Sequence, residues 1–428
     1  MSLRPLALTR LLGAFLAITG TAAILVATLS PAPGQAAAAA STPLFCVVCG
    51  EGGGTDVFLN LLLFTPMAAG LRLAGLAWGR VVAAAALLSL GVEYLQLVAV
   101  PGRDPSLSDL LANTAGAAVA AALAPHLPRA TVPHPALARR LLSAAVVFQL
   151  AVLTLSAIGF RPDVRPGPIR SDCTSYTPVL GVWGGTLRTV AIDGVTLPCD
   201  GPPAEGAAIR SALAGNRTTM RIEGLAGAAS RGRTMVHAVR AGGEPALALV
   251  QDGSAAVFSV PTASRRLRLF PATLLLFGAF PGEAGTPFEL RAGRQGVRLW
   301  IASSFAGGGR SAEVTLRPSL GWTSLVWWRL QPGPRLPVLS AIWLGGLLFP
   351  VGYWAGFAAR PAWGLAVAAG ALVAGMALLP AATGYPPALG SEWLGGSLGA
   401  ALGWALARLA AYLQSRCGSP STSAYSSS

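Results

Sequence analysis

The stretch GRDPSLSDLLANTAG, residues 102–116, decides how the chain is read. It runs from a charged loop into an apolar helix that carries Asp109 and Asn113. With Gly116 these stand at i, i+4 and i+7, on one helical face. A charge inside a membrane helix costs roughly 2.5–3.5 kcal/mol on insertion scales, so such residues usually face a bundle interior or a wet cavity. The first question is therefore whether the helix crosses a membrane.

Composition answers it. The 428 residues are 53% hydrophobic and only 11% charged, with a mean hydropathy of +0.58. Soluble domains carry about 25% charge. All 31 basic residues are Arg, so no lysine can act as a base or Schiff-base nucleophile. The abundance of Ala, Gly, Pro and Arg fits a GC-rich coding sequence. The net charge of +14 is thus no argument for nucleic acid, and no nucleic-acid partner is expected.

Apolar runs of about 17–25 residues can span a bilayer. Eight are legible, at 11–29, 57–77, 81–100, 108–125, 141–159, 337–357, 362–380 and 391–413. The first, within 1–30, reads as a retained helix or signal anchor, being longer than the ~7–15 residues of a signal-peptide core. PAPGQAAAAAS behind it offers an alternative cleavage site. Arginines set the orientation. Outside 161–335 there are eleven, and with the amino terminus inside ten fall on the cytoplasmic side; only Arg103 falls outside. Glu51, Asp56, Glu93, Asp104, Asp109 and Glu392 all fall at or near the outer face. A multi-pass protein of the cytoplasmic membrane follows, with both termini and the tail 414–428 inside and 161–335 outside.

Residues 161–335 are too long for a loop. Runs such as TTMRIEGL, PALALVQDGSAAVFSV and RAGRQGVRLWIAS alternate apolar with polar, and Asp252-Gly253 is a hairpin signal. Short strands at regular spacing suggest an extracytoplasmic β-sandwich of laminin-G or concanavalin-like pattern. This part carries 20 Arg against 11 acids. Its basic face could meet anionic lipid or an envelope polymer, or could simply be a solvated surface. Cys173 and Cys199 bracket its start and are expected to pair outside the cytoplasm. Cys46 and Cys49 also fall outside and form a disulfide or a structural turn. Cys417 falls inside.

The membrane part holds a polar constellation. Span two carries Asp56 and Asn60 four residues apart, span three Glu93 and Gln96 three apart, span four Asp109 and Asn113. Each pair shares a face. Thr55-Asp56 and Ser108-Asp109 could be plain helix caps. Glu93 is mid-helix, and Asn60 and Asn113 lie too far in, so capping does not account for them. Together the six residues read as a shared polar pocket at the outer face, with Glu93 the deeper acid and Arg103 over its mouth. Arg103 could pair with Glu93 or Asp109, or grip a phosphate. In the membrane part no His lies on this side, since His126 and His134 fall inside and His237 lies in the sandwich, which argues against Ser-His-Asp catalysis and a His-rich zinc site. Oxygen ligands alone would admit a divalent cation such as Mg²⁺ or Ca²⁺.

The order TDVFLNLLLFTP, GVEYLQ, GRDPSLSDLLANTAG resembles the VanZ-like family of membrane proteins. The resemblance covers 42–125 and maps onto Asp56, Asn60, Phe64, Pro66, Glu93, Gln96, Arg103, Asp109, Asn113 and Gly116. It implies an all-α polytopic bundle associated with low-level teicoplanin resistance, and it names no reaction. TPMAAG after Phe-x-Pro departs slightly from the family pattern.

Residues 337–413 echo this region. LLFTP, AWG and SDLLANTAGAA recur as LLFP, AWG and SEWLGGSLGAA, and the Trp-to-acid spacing is 31 residues from Trp78 to Asp109 and 29 from Trp363 to Glu392. The copy has Gly396 where Asn113 stands and no counterpart of Arg103 or Glu93, as a degenerate VanZ-like repeat would. The expected function is binding or protection through the outer-face pocket, whose partners are the lipid bilayer and a lipid-linked or polysaccharide envelope component. A metal-assisted membrane enzyme on a lipid-linked substrate, a transporter built on the two repeats, and purely structural packing are the alternatives.

Overall fold

The computed structural model describes residues 3–31, 52–103, 106–173, 180–228, 232–326 and 328–417. Cys46, Cys49, Glu51 and Asp104 lie outside the described residues. The chain divides into two compact units. One comprises Met1–Pro125, Ile158–Leu316 and Thr323–Pro332; the other comprises His126–Ala157, Arg317–Trp322 and Gly333–Ser428.

Among the described residues, eight helical segments are long and apolar enough to cross a membrane: Thr9–Leu29, Gly53–Leu73, Trp78–Ala99, Leu107–Thr131, Pro135–Gly159, Arg335–Ala355, Pro361–Thr383 and Gly390–Ser415. Each overlaps an apolar run read from the sequence. The bilayer length that fixed the reading therefore also fixes the element lengths.

The first unit starts with α1 (Leu3–Leu29). The next span breaks into α2 (Gly53–Leu63) and α3 (Thr65–Leu73) at Phe64. Pro66 sits in the first turn of α3, where its missing N–H costs nothing. The Phe-x-Pro signature is thus a helix break, with Phe64 fully buried beneath it. Two further helices, α4 (Trp78–Ala99) and α5 (Leu107–Leu123), follow. Ile24, Phe64, Met67, Ala68, Val81, Ala85, Ala117 and Ala121 form the common core of these five helices. Small residues dominate it, as close packing between membrane helices requires.

The same unit holds twelve strands. One six-stranded sheet has the order β1 (Ile169–Asp172), β6 (Arg233–Ala241), β7 (Glu244–Asp252), β8 (Ala255–Ser259), β9 (Thr273–Leu276), with β2 (Gly181–Val182) paired in parallel to β6. The other has the order β12 (Gly308–Thr315), β11 (Arg298–Phe305), β10 (Pro287–Gln295), β5 (Arg217–Leu225), β3 (Thr186–Ile192), β4 (Val195–Thr196), all antiparallel. The 7–8 hairpin turns at Asp252-Gly253, where Gly253 has φ 61°. β5 alternates buried and exposed residues along its length, with Met220 and Ile222 fully inside. Cys173 and Cys199 form a disulfide across 26 residues. A loop of that size contributes about 3 kcal/mol in the chain-entropy account.

The second unit comprises α6 (Leu127–Thr131), α7 (Pro135–Gly159, up to Ala157), α9 (Arg335–Ala355), α10 (Pro361–Val373), α11 (Leu379–Thr383) and α12 (Gly390–Cys417). The helix α8 (Gly206–Ala214) belongs to the first unit. One turn of π-helix, Ala374–Leu378, joins α10 to α11. Such a turn frees a backbone carbonyl, and the buried Gln149 donates to the Ala371 carbonyl at 3.2 Å.

Candidate functional site

The polar residues lie where α1, α4 and α5 meet. α4 buries one stripe: Val81, Ala85, Ser89, Val92, Glu93 and Gln96. α5 buries Ser108, Ala112, Asn113, Gly116, Ala117 and Ala121. The two helices run antiparallel and are tied at three levels. The Ser106 N–H donates to Glu93 Oε2 at 2.7 Å, Asn113 Nδ2 donates to Ser89 Oγ at 3.0 Å, and Trp78 Nε1 donates to the Ala118 carbonyl at 3.0 Å.

The first of these ties corrects one expectation. Ser106, not Ser108-Asp109, is the α5 cap: its hydroxyl accepts from the Ser108 N–H at 3.1 Å. Its own N–H reaches Glu93, so the first turn of α5 lies within side-chain reach of that acid. The loop after Val100 folds back beside α4, where Glu93 is 8% exposed. Asp109 is half-buried and within electrostatic reach of Glu93.

Arg103 and Gln96 have a different destination. Gln96 Nε2 donates to the Thr28 carbonyl at 3.0 Å, and Arg103 donates to the carbonyls of Ala27 and Ser30 at 3.0 and 3.1 Å. These carbonyls end α1. A helix leaves its last four carbonyls without partners, and in a membrane each unpaired group is costly. The guanidinium also meets the negative end of the helix dipole. Neither an Arg103–Glu93 nor an Arg103–Asp109 ion pair is formed.

Gly116 sets the spacing of α2 and α5. A Cβ there would stand 2.0 Å from the Leu61 carbonyl oxygen. That crossing places Asp56 and Asn60 of α2 alongside the first turns of α5. Asp56 is exposed and Asn60 half-buried. The α2 cap position is Gly52, with no side-chain cap bond, so Thr55-Asp56 is not a cap box. Thr55 instead donates to the Ser324 carbonyl at 3.0 Å.

Two acceptors stand out. Asn113 is 1% exposed and its Oδ1 has no partner; Gln96 Oε1 is likewise buried and unpaired. Buried unpaired acceptors cost about 1–3 kcal/mol each, so each calls for an occupant or a reason. Among the described residues no group of three His, Cys, Asp or Glu side chains could hold a metal ion. Asp56, Glu93 and Asp109 therefore make no ready cation cage.

The sequence around these residues has a match among known families. Residues 14–128 match the VanZ/LLP1 family. The match covers under a third of the chain and starts inside α1, upstream of the 42–125 that the motifs span. The hydrogen bonds explain why α1 belongs: Gln96 and Arg103 of the VanZ motif close its end. No curated protein matches the chain, and no solved structure does. The chain thus carries a region similar to the VanZ/LLP1 family, together with eight candidate spans among the described residues and two β-sheets.

Sequence reasoning missed Ser89 and Ser106, the partners of Asn113 and Glu93. Ser89 could have been found, because it lies four residues before Glu93 on the same stripe. Ser106 was masked by the better-looking Ser108-Asp109 pair.

Proposed function

We propose that the VanZ-like region binds a cell-envelope component through Asp56, Asn60, Asp109 and Asn113, with Glu93, Gln96 and Arg103 holding the helix ends that frame them. The supporting observation is the unpaired, buried Asn113 Oδ1 beneath the half-buried Asp109. A carboxamide acceptor and two carboxylates suit sugar hydroxyls or an amine on a lipid-linked or polysaccharide ligand. Protection against a teicoplanin-type glycopeptide is the phenotype that fits, because such drugs act on the same class of precursor. The β-sheet domain, laminin-G or concanavalin-like in its strand pattern, lies on the extracytoplasmic side with both termini cytoplasmic. Residues 337–413 are a degenerate second copy of the 53–123 helices, kept as scaffold.

The test is teicoplanin susceptibility of a sensitive host expressing wild type, D109N or N113L at matched membrane levels. Wild type is expected to raise the inhibitory concentration and both variants to lose the gain. Wild-type protection by N113L would remove Asn113 from the site. No protection by the wild type would reject the glycopeptide ligand. Thiol accessibility of a cysteine placed at Gly253 reads the orientation separately.

A further inference from the structure

We propose that the short 3₁₀ turn Ala263–Leu267, with Arg268, is a membrane-contact element of the β-sheet domain. It binds the anionic headgroups of the leaflet on its own side. The proposal does not depend on which side that is, nor on the ligand of the VanZ-like region.

Position comes first. The Gly54 N–H donates to the Arg268 carbonyl at 3.1 Å. A Cβ on Gly54 would stand 1.8 Å from the Leu267 carbonyl oxygen, so the turn presses on backbone with no room for a side chain. Gly54 is the second residue of the span Gly53–Leu73. The turn's Ala263 N–H donates to the Arg161 carbonyl at 2.9 Å, two residues past the end of the span Pro135–Gly159. The start of the span Gly53–Leu73 holds the turn where that span would pass from hydrocarbon to headgroups.

What it displays there fits that depth. Leu267 is 66% exposed, and the Arg266 side chain is 71% exposed. A leucine flanked by arginines can dip into the acyl boundary while the guanidiniums stay among phosphates. Arg266 donates to both Asp163 oxygens, at 2.7 and 2.6 Å, through Nε and Nη2. That pair orients the guanidinium and engages two of its three nitrogens. Guanidinium and phosphate are a matched bidentate pair.

Arg268 adds an independent sign. Its φ is +52°, and among the described residues only one other non-glycine, Asp193, has positive φ. Glycine would adopt this conformation without the strain an arginine bears. A side chain retained at a strained position points to use of that side chain. Arg161 stands beside the same turn.

The test uses the full chain in lipid nanodiscs. Cys46, Cys49 and Cys417 are replaced by serine, the Cys173–Cys199 disulfide is kept, and a fluorophore is attached at L267C. Quenching by a nitroxide at headgroup depth is compared between phosphatidylglycerol and phosphatidylcholine. Anionic lipid should quench more, by about fivefold in local enrichment for each contributing arginine. R266A/R268A should bring the ratio to about one. D163N removes the counter-charge and keeps both arginines, so it should raise the ratio. It also serves as the test if the double variant fails to insert. The proposal is overturned by equal quenching in the parent, by a ratio unchanged in R266A/R268A, by no rise in D163N, or by a label that neither lipid reaches.

Discussion

The two helix triplets, α2–α5 in one unit and α9–α12 in the other, solve the same crossing and diverge at the same polar positions. In the first, Gly116 meets the Leu61 carbonyl; in the second, Gly399 would place a Cβ 2.2 Å from the Gly345 carbonyl oxygen. Both glycines stand seven residues after the acid of the shared SDLLANTAG/SEWLGGSLG pattern. The acids then part company. Asp109 is half-buried. Glu392 is 1% exposed and satisfied on both oxygens, by the Ser319 hydroxyl at 2.7 Å and the Leu389 N–H at 2.6 Å. Where the first triplet carries Asn113 with an unpaired acceptor, the second carries Gly396, and carbons of Met376, Leu348 and Leu372 occupy the space. One triplet keeps unfilled polar capacity; the other has closed it with hydrocarbon. On the proposed reading the first triplet holds the site and the second is its scaffold.

The largest expected effect tests the shared part. G116L and G399L each drive a side chain into a backbone carbonyl that cannot turn away. Overpacking on this scale costs about 3 kcal/mol or more. Thermal unfolding in one detergent should show comparable losses for both. A tolerated leucine at either position would break the equivalence of the two crossings.

Next in size is an acid effect that limits where the triplets can be compared. His237 in the β-sheet domain is fully buried, with Ser171 Oγ at 3.1 Å from Nε2 and Cys173 Sγ at 3.5 Å from Nδ1. Burial pushes its imidazole down to about 4, against the pull of Asp172 and Asp200. The unfolded chain takes up that proton near pH 6.5 and the folded domain does not. Stability is therefore complete above about 6.5, falls between 6.5 and 4, and levels off below. The loss is about 3 kcal/mol by linkage. Unfolding followed against pH should show this slope, and H237N should flatten it. The β-sheet domain meets α2 at Gly54, so comparison of the triplets belongs above pH 6.5.

How much of this was legible in the sequence depends on what each feature needs. The spans were, because a bilayer demands a fixed length of apolar chain and nothing subtler. The strands were, through period-two runs such as Arg217–Leu225 and the Asp252-Gly253 turn. The Cys173–Cys199 bond was, from compartment and placement. The faces of α4 and α5 were also legible, since Glu93, Gln96, Asn113 and Gly116 all lie on buried stripes. The partners were not. Gln96 and Arg103 bond to carbonyls of Ala27, Thr28 and Ser30, and a helix end presents the same carbonyls whatever its residues are. The fold-back that brings Ser106 to Glu93 depends on a loop path, not on spacing. The contact of Gly54 with Leu267 joins residues more than 200 positions apart and has no local trace.

A smaller effect separates the two acids. E392A strands the Ser319 hydroxyl and the Leu389 N–H inside the second unit, at a cost of about 2 kcal/mol. D109A removes a half-buried carboxylate and should cost under about 1 kcal/mol. Melting temperatures should therefore fall clearly for E392A and little for D109A, while susceptibility should respond in the opposite order. Equal melting losses would mean that Asp109 is as structural as Glu392.

The smallest stability effect is expected at Asn113, and it bears most directly on the site. N113L deletes a buried acceptor that nothing satisfies and replaces it with the kind of carbon that fills the second triplet. The Ser89 hydroxyl loses its donor, but a helical serine can turn to its own preceding carbonyl. The two changes oppose each other, so unfolding should shift by less than about 1 kcal/mol in either direction. A protein built only to pack should then behave as wild type, or slightly better. A protein that holds a ligand at Asn113 should keep its melting temperature and lose its protection. The reverse exchange, G396N, must displace Met376 and should destabilise without conferring anything, since Leu378 stands fifteen residues after Trp363 where Glu93 stands fifteen after Trp78. Loss of protection with no loss of stability in N113L, set against loss of stability with no gain in G396N, is the pair of results by which the polar triplet is a site and the apolar one its scaffold.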